Sequence, residues 1–183
     1  MGQLRASIMT AVANDPTPGH TLSAADLFAR RGADTMGAAV GCVLLGPTER
    51  TRYACAGLPP PVWLRATAGA ELLTGGRRAL LGIGEAGVDY EDAFIDFGGG
   101  DTLVMYTDGL IERRGEMIDI GIERLRRAVE ARRGMSPEDL CDAVLSAVAL
   151  EQPEDDIALL VMQRNPTEEL RHESEPSPRS IGP

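Results

Sequence analysis

The chain has 183 residues and a formal charge of −10 at pH 7, from 18 basic and 28 acidic side chains, which fits one acidic domain. Its 43% hydrophobic and 25% charged residues are typical of a globular protein, and the acidic balance argues against nucleic-acid binding and against docking on an anionic membrane. Because no apolar run approaches the ~18 residues of a membrane span and the N-terminal residues lack a signal-peptide core, we expect a cytoplasmic protein.

Two helices and two strands are predicted at the start of the chain. Apolar residues at helical spacing predict a helix over residues 2–13, and the proline-containing sequence that follows is expected to end it. A second helix is expected over residues 22–31. Residues 38–45 then form a predicted strand that is apolar on both faces, and residues 52–56 return antiparallel to it after a Gly-Pro turn.

The middle of the chain alternates short strands with rigid or glycine-rich segments. Three consecutive prolines fix an extended crossing before a short strand at residues 62–65. Residues 75–90 are glycine-rich and predicted to be irregular, and a further strand follows at residues 93–97. Residues 102–106 are predicted to be a strand buried on both faces, which leads directly into Thr107-Asp108-Gly109.

Two more helices and a final strand complete the predicted domain. Helical spacing of apolar residues over 122–129 predicts one helix, which Gly134 ends. Ser136 and Pro137 favour the start of another, because serine caps a helix and proline fits its first turn. The apolar run at residues 157–162 is the last predicted core strand.

The composition changes after residue 164. Residues 165–183 hold four acids, two arginines and four of the twelve prolines, with Leu170 and Ile181 as the large aliphatic residues. Such a segment cannot bury a core. We therefore predict one domain over residues 1–164 and a disordered, acidic, proline-rich tail over residues 165–183.

The cysteines do not show the spacing of a metal site. They form no Cys-x-x-Cys pair, and the two histidines, His20 and His172, lie far from them and from each other. Zinc binding is therefore disfavoured, and free, largely buried thiols are expected. The three cysteines are Cys42, Cys55 and Cys141.

Aspartates stand at the ends of two predicted core strands. Asp108 follows the strand at residues 102–106 beside Gly109, which lets another group approach the backbone, and Asp155 and Asp156 precede the last strand. If these strands are antiparallel neighbours, Asp108 and Asp155 converge at one edge of the sheet, where hard oxygen ligands suit Mg²⁺ or Mn²⁺. The alternative is an ordinary Asp-Gly turn and a solvated acidic loop, since two carboxylates alone do not make a metal site.

The sequence around these aspartates closely resembles a motif of a bacterial phosphatase family. Residues 103–112 read LVMYTDGLIE and are similar to the "LYTDGLxE" motif of the metal-dependent serine/threonine phosphatases of the 2C type, in the branch named for the stage II sporulation protein E. The resemblance extends over nearly all of residues 1–164. The other matching segments are residues 53–60 (an "AGHPP" loop), 81–83 ("LGV"), 118–121, 124–125, 137–140 and 155–161 ("DDIALLV").

That resemblance implies an α/β (α+β) fold, a four-layer α/β/β/α sandwich of two antiparallel sheets. A two-metal Mn²⁺ or Mg²⁺ centre at one edge would activate a water that attacks phosphoserine or phosphothreonine, so no covalent nucleophile is needed. Asp108 and Asp155 match two ligands of one metal. Asp156 and Gly109 match positions that support the ligands without themselves binding the metal.

Three departures from the family pattern concern this centre. The aspartate that bridges both metals and the Gly-His-Gly stretch beside it do not precede the first helix, and the opening strands of one sheet are missing with them. Leu58 stands where the "AGHPP" loop carries histidine. We therefore expect one weak metal site, and interpret the chain as an N-terminally incomplete domain, from a fragment or an internal start codon, or as a domain that has lost catalysis.

The resemblance thus implies a serine/threonine protein phosphatase that acts on a phosphoprotein of the anti-sigma-factor antagonist type, with a role in sigma-factor regulation and signal transduction. Loss of the bridging aspartate is expected to cripple the activity of this chain. Two alternatives stay open: a non-catalytic interaction module on the same fold, and an unrelated α/β domain in which both acidic loops are merely solvated.

Overall fold

In the computed structural model, which describes residues 2–32, 35–148 and 155–165, two helices precede a run of seven strands, and two further helices precede the last strand. The helices of these residues are α1 (Gly2–Asn14), α2 (Pro18–Ala29), α3 (Ile118–Glu130) and α4 (Pro137–Val148). The strands are β1 (Val40–Leu44), β2 (Arg50–Ala56), β3 (Val62–Leu64), β4 (Ala70–Leu72), β5 (Arg77–Arg78), β6 (Ala93–Asp96), β7 (Thr102–Tyr106) and β8 (Leu159–Gln163). A short 3-10 turn, Asp108–Leu110, follows β7.

The strands form two sheets. In the first, β2 pairs with β1 and also with β5 and β6, and Val40 lies opposite Ala56 in the antiparallel β1–β2 pair. β6 also runs antiparallel to β2, whereas the two-residue β5 runs parallel to it. The second sheet has the order β4-β3-β7-β8, and all of its pairs are antiparallel. Both sheets are therefore antiparallel as predicted, except for the short β2–β5 pair.

Three apolar layers hold the helices and sheets together. Leu22 and Ala54 are fully buried where α1 and α2 cover the first sheet. Phe97 and Leu103 lie between the two sheets. The other face of the second sheet packs on α3 and α4, where Leu125 is fully buried. Each large apolar side chain buried in this way contributes about 1.5–3 kcal/mol. The order of layers is α/β/β/α, which confirms the predicted sandwich.

β7 lies between β3 and β8 and is buried on both faces, as the sequence predicts. Val104 points into the layer with α3 and α4, and Met105 points into the layer between the sheets. The end of the Met105 side chain occupies the space where a Cβ on Gly41 of β1 would stand. The strand that leads to Asp108 is therefore held by packing on both sides.

Two helix starts show how local chemistry fixes a boundary. α4 begins as predicted: the Ser136 hydroxyl accepts a hydrogen bond from the Asp139 backbone N–H at 3.1 Å and donates one to the Asp139 carboxylate at 2.7 Å. The start predicted for the second helix is wrong, because α2 already begins at Pro18. Proline is well accommodated in a first turn, and the Asp92 carboxylate accepts a hydrogen bond from the next backbone N–H, that of Gly19, at 2.7 Å.

The other differences between the predicted and the observed elements each involve only a few residues. β4 is not predicted, and β5 forms a two-residue pair within residues 75–90, which are otherwise irregular as expected. β8 begins two residues later than the predicted strand, because the preceding segment bonds to Thr107 instead of continuing the regular ladder.

Some predictions fall outside the described residues. The predicted tail lies there except for Asn165, as do residues 151–154 of the acidic loop before the last strand, so the domain boundary stays a prediction. Within the described part of the chain, none of the helices combines the length and apolar character needed to cross a bilayer.

Candidate metal centre

The first acidic segment is the turn that ends β7. Thr107 is extended, and the 3-10 turn starts at Asp108. The backbone carbonyl of Asp108 accepts hydrogen bonds from the N–H groups of Ile111 and Glu112, both at 2.8 Å. The half-buried Asp108 carboxylate accepts a hydrogen bond from the Gly109 N–H at 3.0 Å. This network fixes the backbone that carries the carboxylate.

The second acidic segment is the entry into β8, and Thr107 ties it to the first. The Thr107 backbone N–H donates to the Ala158 carbonyl at 3.0 Å, and the Ala158 N–H donates back to the Thr107 hydroxyl at 2.9 Å. The same hydroxyl donates to the backbone carbonyl of Asp156 at 3.0 Å. Because β7 and β8 are antiparallel, with Tyr106 opposite Leu159, the end of one strand meets the start of the other.

Gly109 brings the two acidic segments into direct backbone contact. A Cβ at this position would lie 2.7 Å from the Asp156 carbonyl oxygen and 2.9 Å from that of Asp155, closer than real side chains approach. Glycine is therefore required by the close approach of the two segments. The structure thus brings Asp108, Gly109, Asp155 and Asp156 to one end of the second sheet.

The aspartates of the second segment face solvent. Asp155 and Asp156 are exposed, and the Asp155 carboxylate accepts a hydrogen bond from the Asp156 N–H at 2.8 Å. Among the described residues, no group of three or more His, Cys, Asp or Glu side chains is arranged to hold a metal ion. The donors at this end of the sheet are carboxylates, and Mg²⁺ is usually held by one or two carboxylates with water at the remaining positions.

An open cavity of about 440 Å³ lies beside Gly109 and Asp155. The loop between the 3-10 turn and α3 forms most of its wall, and Glu116 of this loop is ion-paired with Arg124 of α3. The sequence gives no clear signal for this loop, because Arg-Arg pairs like its Arg113-Arg114 occur at four other places in the chain. The lining residues are Gly109, Glu112, Arg113, Arg114, Gly115, Glu116 and Asp155.

Leu58, at the position of the family's loop histidine, packs as an apolar residue. Its side chain belongs to the layer between the sheets and lies close to Gly41. Its backbone carbonyl accepts hydrogen bonds from the Arg77 guanidinium at 3.0 and 3.2 Å. With Thr107 and Leu159 it lines a separate, mainly apolar cavity of about 240 Å³. This position therefore contributes hydrocarbon and no metal ligand.

Thiols and phenols contribute no charge at this end of the molecule. Burial raises the pKa of the Cys55 thiol to about 11, against a smaller opposing effect of the Arg77 charge. Burial also raises the pKa of the Tyr106 hydroxyl, which has no hydrogen-bond partner among the described residues. All three cysteines are free, as predicted, and the pKa values of Cys42 and Cys141 are likewise raised by burial. Carboxylates are thus the anionic groups of this region at neutral pH.

Comparisons with known proteins agree with this geometry. A family model described as stage II sporulation protein E (SpoIIE) matches residues 1–165. The RsbU and RsbW domains of Rv1364c from Mycobacterium tuberculosis are 27% identical, with a TM-score of 0.77 over 91% of this chain and 49% of that chain. The SiaA-PP2C domain of Pseudomonas aeruginosa is 19% identical, with a TM-score of 0.71 over 88% of this chain and 66% of that one. The manganese-presoaked SpoIIE phosphatase domain from Bacillus subtilis is 13% identical, with a TM-score of 0.60 over 90% and 74%. No curated protein sequence matches the chain.

The extent of these matches defines what they support. The chain spans about half the length of the first of these structures and about two thirds of the second. At 19% and 13% identity, the second and third structures show a shared fold. The family model covers the whole predicted domain, residues 1–164, and it confirms the resemblance that the motifs indicate.

Proposed function

The chain belongs to the stage II sporulation protein E family of PP2C-type phosphatases, and from this membership we propose that it hydrolyses phosphoserine or phosphothreonine in a regulatory phosphoprotein. The observation that carries the proposal is the backbone contact between the turn after β7 and the entry into β8. This contact places two aspartates of the family motifs, Asp108 and Asp155, at the same end of one sheet.

The residues of this site would have different roles. Asp108 and Asp155 would hold Mn²⁺ or Mg²⁺ through carboxylate oxygens, with water completing the shell. A bound divalent ion lowers the pKa of water and offsets negative charge on phosphoryl oxygens. Thr107 and Gly109 fix the spacing of the two acidic segments, and the backbone carbonyl of Asp156 takes part in the same network.

The proposed substrate is a phosphoprotein of the anti-sigma-factor antagonist type, acted on in the cytoplasm. The resemblance noted in the sequence implies this substrate, and the likeness to a structure of RsbU and RsbW domains supports it. The exposed position of Asp155 is compatible with a protein substrate, because a folded phosphoprotein can reach the site from solvent.

The 183-residue chain is proposed to bind one divalent ion weakly and to turn over slowly. Two carboxylates can hold one ion, whereas clamping the attacking and leaving oxygens requires two ions roughly 3.5–4 Å apart. The group of three or more ligating side chains that would hold ions firmly is not found among the described residues.

A second candidate function, a non-catalytic interaction module on the same fold, is favoured by one observation. Leu58 occupies the position of the family's loop histidine and packs between the sheets. On this alternative, the chain would bind a partner protein and release no phosphate from it.

Manganese binding and phosphate release together test these proposals. We expect weak Mn²⁺ binding by calorimetry, abolished in Asp155→Asn, reduced in Asp156→Asn and unchanged in Asp142→Asn, a matched charge change on the exposed face of α4. Slow, Mn²⁺-dependent release of phosphate from a phosphoserine protein would support the enzyme. Binding without any release favours the interaction module, and equal Mn²⁺ binding by all three variants contradicts the assigned site.

A further inference from the structure

Arg113 stands at the wall of the cavity beside the candidate metal centre. It is half-buried, and its Nη2 donates a hydrogen bond to the carbonyl of Val148 at 3.3 Å. Its Nε is buried and finds no acceptor among the described residues. A buried N–H without an acceptor is costly, and such groups in native proteins usually meet an oxygen of water or of a ligand. Because Nε has no contact with solvent, it is not the atom that an anion would reach; the donors left for an anion are the other Nη hydrogens, which make no further hydrogen bond among the described residues.

The charged side chains around the cavity determine which anion can bind there. Glu112, Glu116 and Asp155 line the cavity together with Arg113 and Arg114, and Glu116 is already ion-paired with Arg124. The nearly balanced wall offers little attraction to a free phosphate dianion. A divalent ion at Asp155 would change this balance by two charges, so that a phosphoryl group could bind the ion and an arginine at the same time.

We propose that Arg113 is a substrate-binding residue that donates hydrogen bonds to the phosphoryl oxygens of the substrate, next to the ion held by Asp108 and Asp155. The assignment rests on the proposed phosphatase function and adds to it a residue from outside the acidic motifs. A planar guanidinium suits this task because its N–H groups match the geometry of two phosphoryl oxygens. Its bond to Val148 anchors the loop on α4 and fixes the direction from which the guanidinium approaches.

The proposal makes metal and phosphate binding cooperative. If phosphate contacts both the ion and Arg113, phosphate must raise the affinity for Mn²⁺, and Mn²⁺ must raise the affinity for phosphate by the same factor. Contact between phosphate and the ion alone already produces part of this coupling, so the part that depends on Arg113 is what distinguishes a phosphate-binding residue from a purely structural one.

The test is a calorimetric Mn²⁺ titration of the full chain with and without inorganic phosphate. In the wild type, phosphate should raise the Mn²⁺ affinity about fivefold or more. In Arg113→Gln this gain should shrink while the Mn²⁺ affinity without phosphate does not fall, and Arg113→Lys should keep more of the gain than Arg113→Gln. Arg132→Gln is the matched control, because Arg132 is also half-buried and also bonds to a helix carbonyl, that of Ala128 at 2.9 Å, but does not line the cavity.

The outcomes separate this proposal from the one it rests on. A full phosphate gain in Arg113→Gln, or no gain in a wild type that binds Mn²⁺, overturns the role of Arg113 and leaves the metal site standing. If both Arg113 variants lose the same Mn²⁺ affinity with and without phosphate, Arg113 only holds the loop in place. This outcome also overturns the proposal. A wild type that binds no Mn²⁺ contradicts the proposed function itself, and the role of Arg113 falls with it.

Discussion

The two ends of β7 carry aspartates in very different surroundings. At the start of the strand, Asp101 is only 7% exposed and both of its carboxylate oxygens accept hydrogen bonds. One oxygen accepts from the Trp63 indole N–H and the Gly98 N–H, both at 3.0 Å, and the other accepts from the Ala66 N–H at 2.8 Å. At the far end, the Asp108 carboxylate is half-buried and accepts from the backbone N–H of its neighbour Gly109 at 3.0 Å.

This difference makes Asp101 a structural carboxylate and leaves the Asp108 carboxylate able to bind a ligand. Asp101 joins the turn before β7 to residues 63–66, because donors from Trp63, Ala66 and Gly98 converge on it. Its lone pairs are engaged by the protein, and an incoming cation would have to displace those donors. Asp108 keeps oxygen lone pairs available beside solvent, at the end of the strand where Asp155 also lies. Stability should therefore depend on Asp101, and metal binding on Asp108.

The strand between the two aspartates gives the largest expected effect. Val104→Asp or Met105→Asp should unfold the domain, because a buried charge without a partner costs several kcal/mol. Leu160→Asp is the control, since Leu160 lies on the edge strand β8 and is 52% exposed. Circular dichroism at 25 °C measures the outcome. A cooperative melt for either core variant would show that one face of β7 is more open than the packing indicates.

Asp101→Ala should give the next largest effect. Removing this carboxylate leaves buried N–H groups without acceptors, and we expect the free energy of unfolding to fall by about 2–4 kcal/mol. Asp101→Asn should lose less because one acceptor oxygen remains. Urea unfolding measures both, with Asp96→Ala on the exposed side of β6 as a control that should change by less than about 0.5 kcal/mol. If Asp101→Ala is as stable as the Asp96→Ala control, Asp101 does not have the structural role assigned to it here.

Gly109→Ala should affect stability and metal binding together. The new Cβ meets the carbonyl oxygens of Asp155 and Asp156, and the backbone must shift to relieve this contact. We expect a loss of about 1–3 kcal/mol in urea unfolding, as for other overpacked sites, and weaker Mn²⁺ binding because the two acidic segments move apart. Gly2→Ala, where nothing lies within 4 Å of the added Cβ, should be neutral in both measurements. If Gly109→Ala binds Mn²⁺ as tightly as the wild type, metal binding does not depend on the backbone contact at Gly109.

The sequence predicts the surroundings of Asp108, at the end of β7, much better than those of Asp101, at the start of the strand. Residues 102–106 form the predicted strand with the predicted bounds, because an apolar run between turn signals has few other solutions. The approach of the turn after β7 to the residues before β8 also follows from sequence, since antiparallel neighbours place the end of one strand next to the start of the other.

What the sequence does not show depends on contacts between distant residues. Asp101 follows three glycines and reads as part of a solvated turn, and its burial depends on Trp63, which is 38 residues away along the chain. β4 was not predicted, because its three residues gain their place by pairing with β3. The cavity loop that carries Arg113 was missed for the same reason, since its position is set by α3 and α4.

Asp108→Asn should have the smallest effect on stability and a complete effect on metal binding. Asparagine keeps a side-chain oxygen that can accept the Gly109 N–H, so the local turn survives and the free energy of unfolding should change by less than about 0.5 kcal/mol. The change removes one of two carboxylates, and a hard divalent ion depends on that charge. Mn²⁺ binding by calorimetry should therefore be lost while urea unfolding is unaltered, the reverse of the result for Asp101→Asn. If Asp108→Asn instead destabilises the domain and Asp101→Asn abolishes Mn²⁺ binding, the two ends of β7 have been assigned the wrong way round.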